Sequence, residues 1–303
     1  MKSGSFFLLL SFVNVQLFAF VMGWILISAG VSVTEDPSDV NNSVSLFLTI
    51  LLTAAVILFI LKVYKGKLLF YLLELGLVFT AFGIFFGTMG FGNLVFGANG
   101  FDFANVCSGK EIFCIDFSFL GALLAVAARA LLKNYRNIFL LFATSIVGAL
   151  LGASLDIVPA AILAMALSIY DIIAVFYTKH MVTMAKELGN RDAGFSITFP
   201  SNFQKNMVVP KVSAEKLRKF YKKVQVNAVE LGTGDLALPT MLMVSAMKIS
   251  PWHAMATMLG STIGMSLLFF YIEKKKGYWP ALPPLIFFGL LFLFLYHILP
   301  FKL

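Results

Sequence analysis

Charge is scarce in this sequence. Of its 303 residues, 13% are Asp, Glu, Lys or Arg, against about 25% in a soluble domain. That scarcity excludes an ordinary soluble fold. Histidine is limited to three residues, and none competes for a catalytic role. His180 and His253 flank apolar segments, and His297 is close to the end of the last one. Cysteine is limited to Cys107 and Cys114 in one connection, where a local disulfide and two unpaired thiols fit equally well. Alternation of apolar and polar residues in ten-residue segments is also missing, which excludes a transmembrane barrel.

What is present is apolar. Hydrophobic residues make up 60% of the chain, and the mean hydropathy is +0.91. Apolar runs of about 20 residues recur along its length, the pattern of membrane-spanning helices. The fold class expected is all-α, a polytopic membrane protein with nine spans. They run over 6–31, 44–61, 68–91, 115–132, 137–155, 157–178, 226–246, 252–272 and 281–300. The first run, Phe6 to Val31, exceeds the apolar core of about 7–15 residues in a cleaved signal peptide. It also lacks a clear small-residue cleavage site, so it reads as a retained span. Three parts follow: a six-helix membrane part (1–178), a basic cytoplasmic loop (179–225) and a three-helix membrane part (226–303).

The formal net charge of +8 would suggest nucleic acid in a soluble protein. Here the basic residues lie between spans, and the positive-inside rule accounts for them without nucleic acid. Lys62, Lys65 and Lys67, then Lys133 and Arg136, then ten Lys and Arg residues from Lys179 to Lys223, then Lys274 to Lys276 all fall on even-numbered connections. Acidic residues dominate the odd-numbered ones, where Lys110, Lys248 and the terminal Lys302 are exceptions. The N-terminus is therefore expected in the cytoplasm and the C-terminus outside. In the long basic segment, AGFSITF and MVV have strand-like composition. SAEKLRKFYKKV has a capping serine, Ser213, and helical spacing. A flexible linker meeting anionic lipid is the plainer alternative. Asn41 to Ser43 match a glycosylation sequon on the outer side, a weak three-residue pattern.

Ionisable residues inside spans are functional candidates by default. Glu74 lies seven residues past Lys67, close enough to an interface for a packing role. Asp171, in LSIYDIIAVFYTKH, lies eight residues before Lys179, about 12 Å inside its span. Asp235, in ELGTGDLALPT, lies twelve residues past Lys223, roughly 12–18 Å deep. Both enter from the same side at similar depth, so the two carboxylates can meet. Two adjacent carboxylates cannot both ionise easily and tend to share one proton. That state supplies a base for water and an acid for a peptide carbonyl, with no metal or other cofactor. Position alone fits a proton- or cation-coupled transporter equally well.

The local pattern separates the two. Gly232 and Gly234 flank Thr233 just before Asp235, and glycine allows close approach of another chain. Pro239 removes the N–H that would bond the carbonyl of Asp235 in a continuous helix. Taken alone, this is also a Pro-kinked, Gly-packed membrane helix. Three stretches nevertheless occur in order: Tyr170–Asp171, the GTGD of Gly232 to Asp235, and the PALP of Pro280 to Pro283. Together they resemble the signature of the presenilin and signal peptide peptidase family, the GxGD intramembrane aspartyl proteases. The likeness is greatest to microbial, archaeal-type presenilin homologues.

The resemblance implies that Asp171 and Asp235 are the catalytic pair. Tyr170, Gly232, Thr233 and Gly234 would shape the site, with Pro280, Ala281, Leu282 and Pro283 on its border. Prolines at 280, 283 and 284 are expected to keep the start of the last span irregular, with backbone groups facing a cavity. The alternative is that they simply start a helix. Substrates would be transmembrane-helix proteins in the lipid bilayer, unwound near the cytoplasmic side. MVVP, with Val208 and Val209, is expected to offer a short strand edge to them. Human-type presenilins have a much longer sixth connection, cut in maturation, and need partner subunits. The short connection here implies an enzyme without obligatory partners; homo-oligomers stay open.

Overall fold

A computed structural model describes residues 3–34, 36–63, 68–88, 117–132, 135–177, 196–200, 228–274 and 279–299. Among the described residues there are nine α-helices and two short strands. The helices are α1 (Ser3–Ser28), α2 (Val40–Val63), α3 (Leu68–Thr88), α4 (Phe117–Leu131), α5 (Arg136–Ser154) and α6 (Ile157–Ile172), then α7 (Thr233–Met247), α8 (Pro251–Lys274) and α9 (Leu282–Ile298). A π-helical turn, Ile173–Tyr177, continues α6. Among the described residues, five segments are long and apolar enough to cross a membrane by length and composition: Ser5–Ser28, Tyr71–Thr88, Arg136–Ser154, Ile157–Tyr177 and Pro251–Ile272. Cys107, Cys114, His180, Val208, Val209 and the expected helix after Ser213 lie outside the described residues.

The seventh span departs from the expected 226–246. Strand β2 (Ala228–Gly232) pairs antiparallel with β1 (Ser196–Pro200), placing Glu230 opposite Thr198. Helix α7 begins only at Thr233. Gly232 is its N-cap in extended conformation, φ −68° and ψ 145°, so the chain enters the helix from a strand. The physical reason is pairing: a second strand satisfies backbone groups that a helix would otherwise have to satisfy itself. The strand-like reading of AGFSITF is met by β1.

Helix α7 has 15 residues, about 22 Å, short of the roughly 30 Å of a bilayer core. It is nevertheless surrounded by protein. Every residue from Leu238 to Met247 is buried, as is Leu236, and a helix apolar all round belongs in a core. Met243, Val244 and Met247 join α1, α3 and α5 in one apolar cluster. Leu236 packs with Leu8, Phe12 and Met265 in a second. Leu238, Met241 and Leu242 face α6 and α9 in a third.

Glycines bring backbones close at two helix contacts. A Cβ on Gly152 of α5 would stand 2.5 Å from the carbonyl oxygen of Met241, and one on Gly148 would stand 2.9 Å from that of Ala237. The spacing Gly148-x-x-x-Gly152 is that of small-residue helix packing in membranes. Ser245 Oγ donates across the same contact to the carbonyl of Gly152, 3.1 Å. On α8, a Cβ on Gly264 would stand 2.5 Å from the carbonyl oxygen of Pro284, so the start of α9 lies directly on α8.

Several polar groups inside the bundle are partnered across helices. Gln16 Nε2 of α1 donates to Ser261 Oγ of α8, 2.7 Å. Glu74 is buried, and Arg129 Nε of α4 donates to its Oε1 at 2.9 Å. Arg136 Nε of α5 lies 3.3 Å from Oε2. Glu74 therefore has the packing role expected of it. The arginine in α4 that neutralises it was legible as a single cation in an apolar run. Ser43 of the sequon is buried, and its hydroxyl donates to the carbonyl of Pro159, 2.7 Å. His253 and His297 meet with ring nitrogens 3.4 Å apart, at the opposite end of α9 from Leu282.

Candidate active site

Asp171 is the penultimate residue of α6, just before the π turn. Such turns widen a helix by one residue and recur at functional sites. Its side chain is buried, 3% exposed. The backbone N–H of Leu282 donates to Asp171 Oδ2 at 3.2 Å. Helix starts carry backbone N–H groups without intrahelical acceptors. Here Ala281 is the N-cap, Leu282 is the first residue, and prolines follow at 283 and 284. Neither proline has an N–H, so among the first three residues of the helix Leu282 alone has an amide, and it meets Asp171.

The expectation for the PALP stretch is thereby corrected. Pro283 and Pro284 do not keep the segment irregular. They sit in the first turn of α9, where fixed φ and a missing donor suit proline. Among the described residues, Trp279, Pro280 and Ala281 lead into the helix as irregular backbone. Ala281 packs in the cluster containing Leu231 and Leu236, and Leu282 in the one containing Leu167 and Leu238. The start of α9 is thus wedged between the helices bearing the two aspartates.

Asp235 lies in the first turn of α7. The opening of that helix, rather than its interior, holds the glycines. Their roles differ. The position a Cβ on Gly232 would take is 3.2 Å from Asp235 Oδ2, so a side chain there would crowd the carboxylate. A Cβ on Gly234 would meet nothing within 4 Å, and this exposed glycine leaves the other flank of Asp235 open. Pro239 is buried within α7 and cannot donate to the carbonyl of Asp235. Thr240 Oγ1 instead donates to the carbonyls of Ala237, 2.7 Å, and Leu236, 3.2 Å.

Leu282 donates to Asp171 and packs in the same cluster as Leu238 of the helix that opens on Asp235, so the two carboxyl-bearing helices meet at the start of α9. The structure thus brings together Tyr170–Asp171, Gly232–Asp235 and Pro280–Pro283. It also adds an aromatic group that sequence reasoning missed. Trp279 packs edge-on against Phe176 of the π turn, centroids 5.6 Å apart, and against Tyr271 of α8, 4.7 Å. The signal available was the tryptophan directly preceding the PALP stretch.

A family model described as signal-peptide peptidase, presenilin aspartyl protease matches residues 9–302. A solved presenilin family intramembrane aspartate protease in space group P2 is 22% identical, with TM-score 0.60, covering 95% of this chain and 96% of that one. A structure described in the same words in space group C222 is also 22% identical, with TM-score 0.61, covering 97% and 99%. No curated protein sequence matches. With a family model spanning nearly the whole chain and the same fold in both solved structures, this chain belongs to the signal-peptide peptidase and presenilin family of aspartyl proteases.

Proposed function

We propose that Asp171 and Asp235 are the catalytic pair of this intramembrane aspartyl endopeptidase. The observation that carries the assignment is the start of α9, where Leu282 N–H donates to Asp171 Oδ2 and Leu282 packs with Leu238 of the helix that opens on Asp235. With one proton between them, the ionised carboxylate takes a proton from water and the protonated one hydrogen-bonds the scissile carbonyl. Water oxygen adds to the carbonyl carbon. The C–N bond then breaks as a proton passes to the leaving amine, and the pair returns to its single shared proton. The Leu282 amide orients Asp171 through this cycle. The transporter alternative finds no support in the comparisons.

The protein is an integral membrane protein acting on membrane-embedded protein substrates. In the reading proposed, its N-terminus is cytoplasmic, its C-terminus lies outside, and it works without obligatory partner subunits as a monomer or homo-oligomer. Residues 1–178, 179–225 and 226–303 form its three parts. A helical substrate hides its peptide bonds in its own hydrogen bonds and must unwind before hydrolysis. Strand structure directly before α7 supports an extended substrate near Asp235, and Val208 and Val209 are proposed to offer it a strand edge. Replacing both with proline removes two N–H donors and is expected to depress cleavage at least tenfold; unchanged cleavage would end that idea.

The decisive test is mass spectrometry of a single-span substrate in proteoliposomes. New termini inside the apolar segment are expected. Ion flux without peptide products would instead indicate a transporter, and capture without cleavage a helix receptor.

A further inference from the structure

The helices that carry Asp171 and Asp235 are tied together at their other ends. Asp156 immediately precedes α6, and Lys248 immediately follows α7. Lys248 Nζ lies 3.0 Å from Asp156 Oδ1. An N-cap aspartate ordinarily accepts an N–H from its own helix. Asp156 has the N-cap backbone, φ −76° and ψ 168°, yet its side chain makes no cap bond. It is turned to the lysine instead. Its main chain is held as well, since its N–H donates to the carbonyl of Pro37, 2.9 Å, and its carbonyl accepts from Ala160, 3.0 Å. Lys248 is also one of the few cations on an odd-numbered connection, where charge distribution alone gives it no reason to be.

Distances along the helices give the pair a purpose. Asp171 is fifteen residues beyond Asp156, and Asp235 is thirteen residues before Lys248. At 1.5 Å per residue these are about 22 and 20 Å, so tying one end levels the carboxylates at the other. The apolar contact between the helices chooses this alignment only weakly. Besides Met241, it is built from Ala160 and Ala164, Leu163 and Leu167, and Leu238 and Leu242. Each of these pairs repeats after four residues. A slip of one turn therefore sets like against like while moving one carboxylate about 5.4 Å along the axis, too far to share a proton. A single polar pair is what specifies register in such a seam.

We propose that Asp156 and Lys248 are positioning residues that lock the register of the two catalytic helices. The inference rests on Asp171 and Asp235 being the catalytic pair. Both side chains are partly exposed, 44% and 21%, so the pair adds little to overall stability. Its effect is on alignment.

Asp156→Lys and Lys248→Asp each replace attraction by repulsion. Each is expected to lower kcat about tenfold with KM unchanged, and the double exchange is expected to restore it. Lys248→Arg should retain full activity, and Lys248→Met, which creates no repulsion, should lose about two- to fivefold. A second arm needs no catalysis. In a chain with Cys107 and Cys114 changed to serine, Asp171→Cys and Asp235→Cys are joined by a short bifunctional thiol reagent. Joining should fall in the Lys248→Asp background and return in the double exchange. Single variants that keep both kcat and joining, or a double exchange that restores neither, would overturn the proposal. If the parent chain cleaves nothing, the catalytic assignment fails, and the joining arm still decides the register lock.

Discussion

Asp235→Asn is expected to abolish cleavage, a loss on the order of 10⁴-fold, and Asp171→Asn to do the same. Asparagine matches aspartate in shape but cannot exchange a proton in this range, so neither variant can alternate between base and acid. The fold should survive both. At 171 the amide oxygen can still accept the Leu282 N–H that Asp171 Oδ2 accepts at 3.2 Å. At 235 the side chain sits in the first turn of α7 beside the open flank of Gly234. The double variant should be no worse than either single, because two groups acting as one unit are not additive. The measurement is appearance of peptide products, with thermal unfolding and substrate capture as controls. Products from either purified variant would refute the pair.

Arg129→Met is expected to destabilise the protein by about 3–5 kcal/mol, since removing one partner of a buried ion pair strands the other. Glu74 is 3% exposed and Arg129 4%. Glu74→Gln combined with Arg129→Met should recover most of that loss, because removing both charges leaves nothing uncompensated. A thermal or denaturant midpoint in detergent measures both. An unchanged midpoint for Arg129→Met would mean that Arg136, 3.3 Å from Glu74 Oε2, holds the carboxylate unaided. Neither variant touches Asp171 or Asp235, so per-molecule activity of the folded fraction should stay constant.

Much of this was legible from residue types and spacing. Apolar runs of the right length locate helices because lipid leaves backbone groups no other partner. Asp171 was legible as a carboxylate inside the sixth span, eight residues before Lys179, but its place next to the end of α6, ahead of a π turn, was not. The seventh span was harder. The segment before Gly232 is as apolar as a helix, and hydrophobicity does not distinguish a strand whose partner lies about thirty residues earlier. For the same reason Gly232 and Gly234 read as positions within a Gly-packed helix, when one caps it and the other stands exposed in its first turn. The PALP stretch could be read either as broken backbone or as a helix start. What decides is where Leu282 N–H points, and that depends on Gly264 admitting Pro284, a contact between distant segments. The Glu74–Arg129 pair was half visible, each charge a lone exception in its own run.

The two-stranded sheet has one more consequence. Its pairing holds Pro200 against Ala228, so residues 201–227 leave and return at neighbouring points. Ring closure of such a segment depends on length only logarithmically, about 0.6 kcal/mol for each doubling. The polar insertion can therefore lengthen, shorten or carry added sequence with little entropic effect on Asp235, because the strand pair absorbs the ends. Size of the insertion and geometry of the carboxylates are separate variables in this architecture, free to change independently.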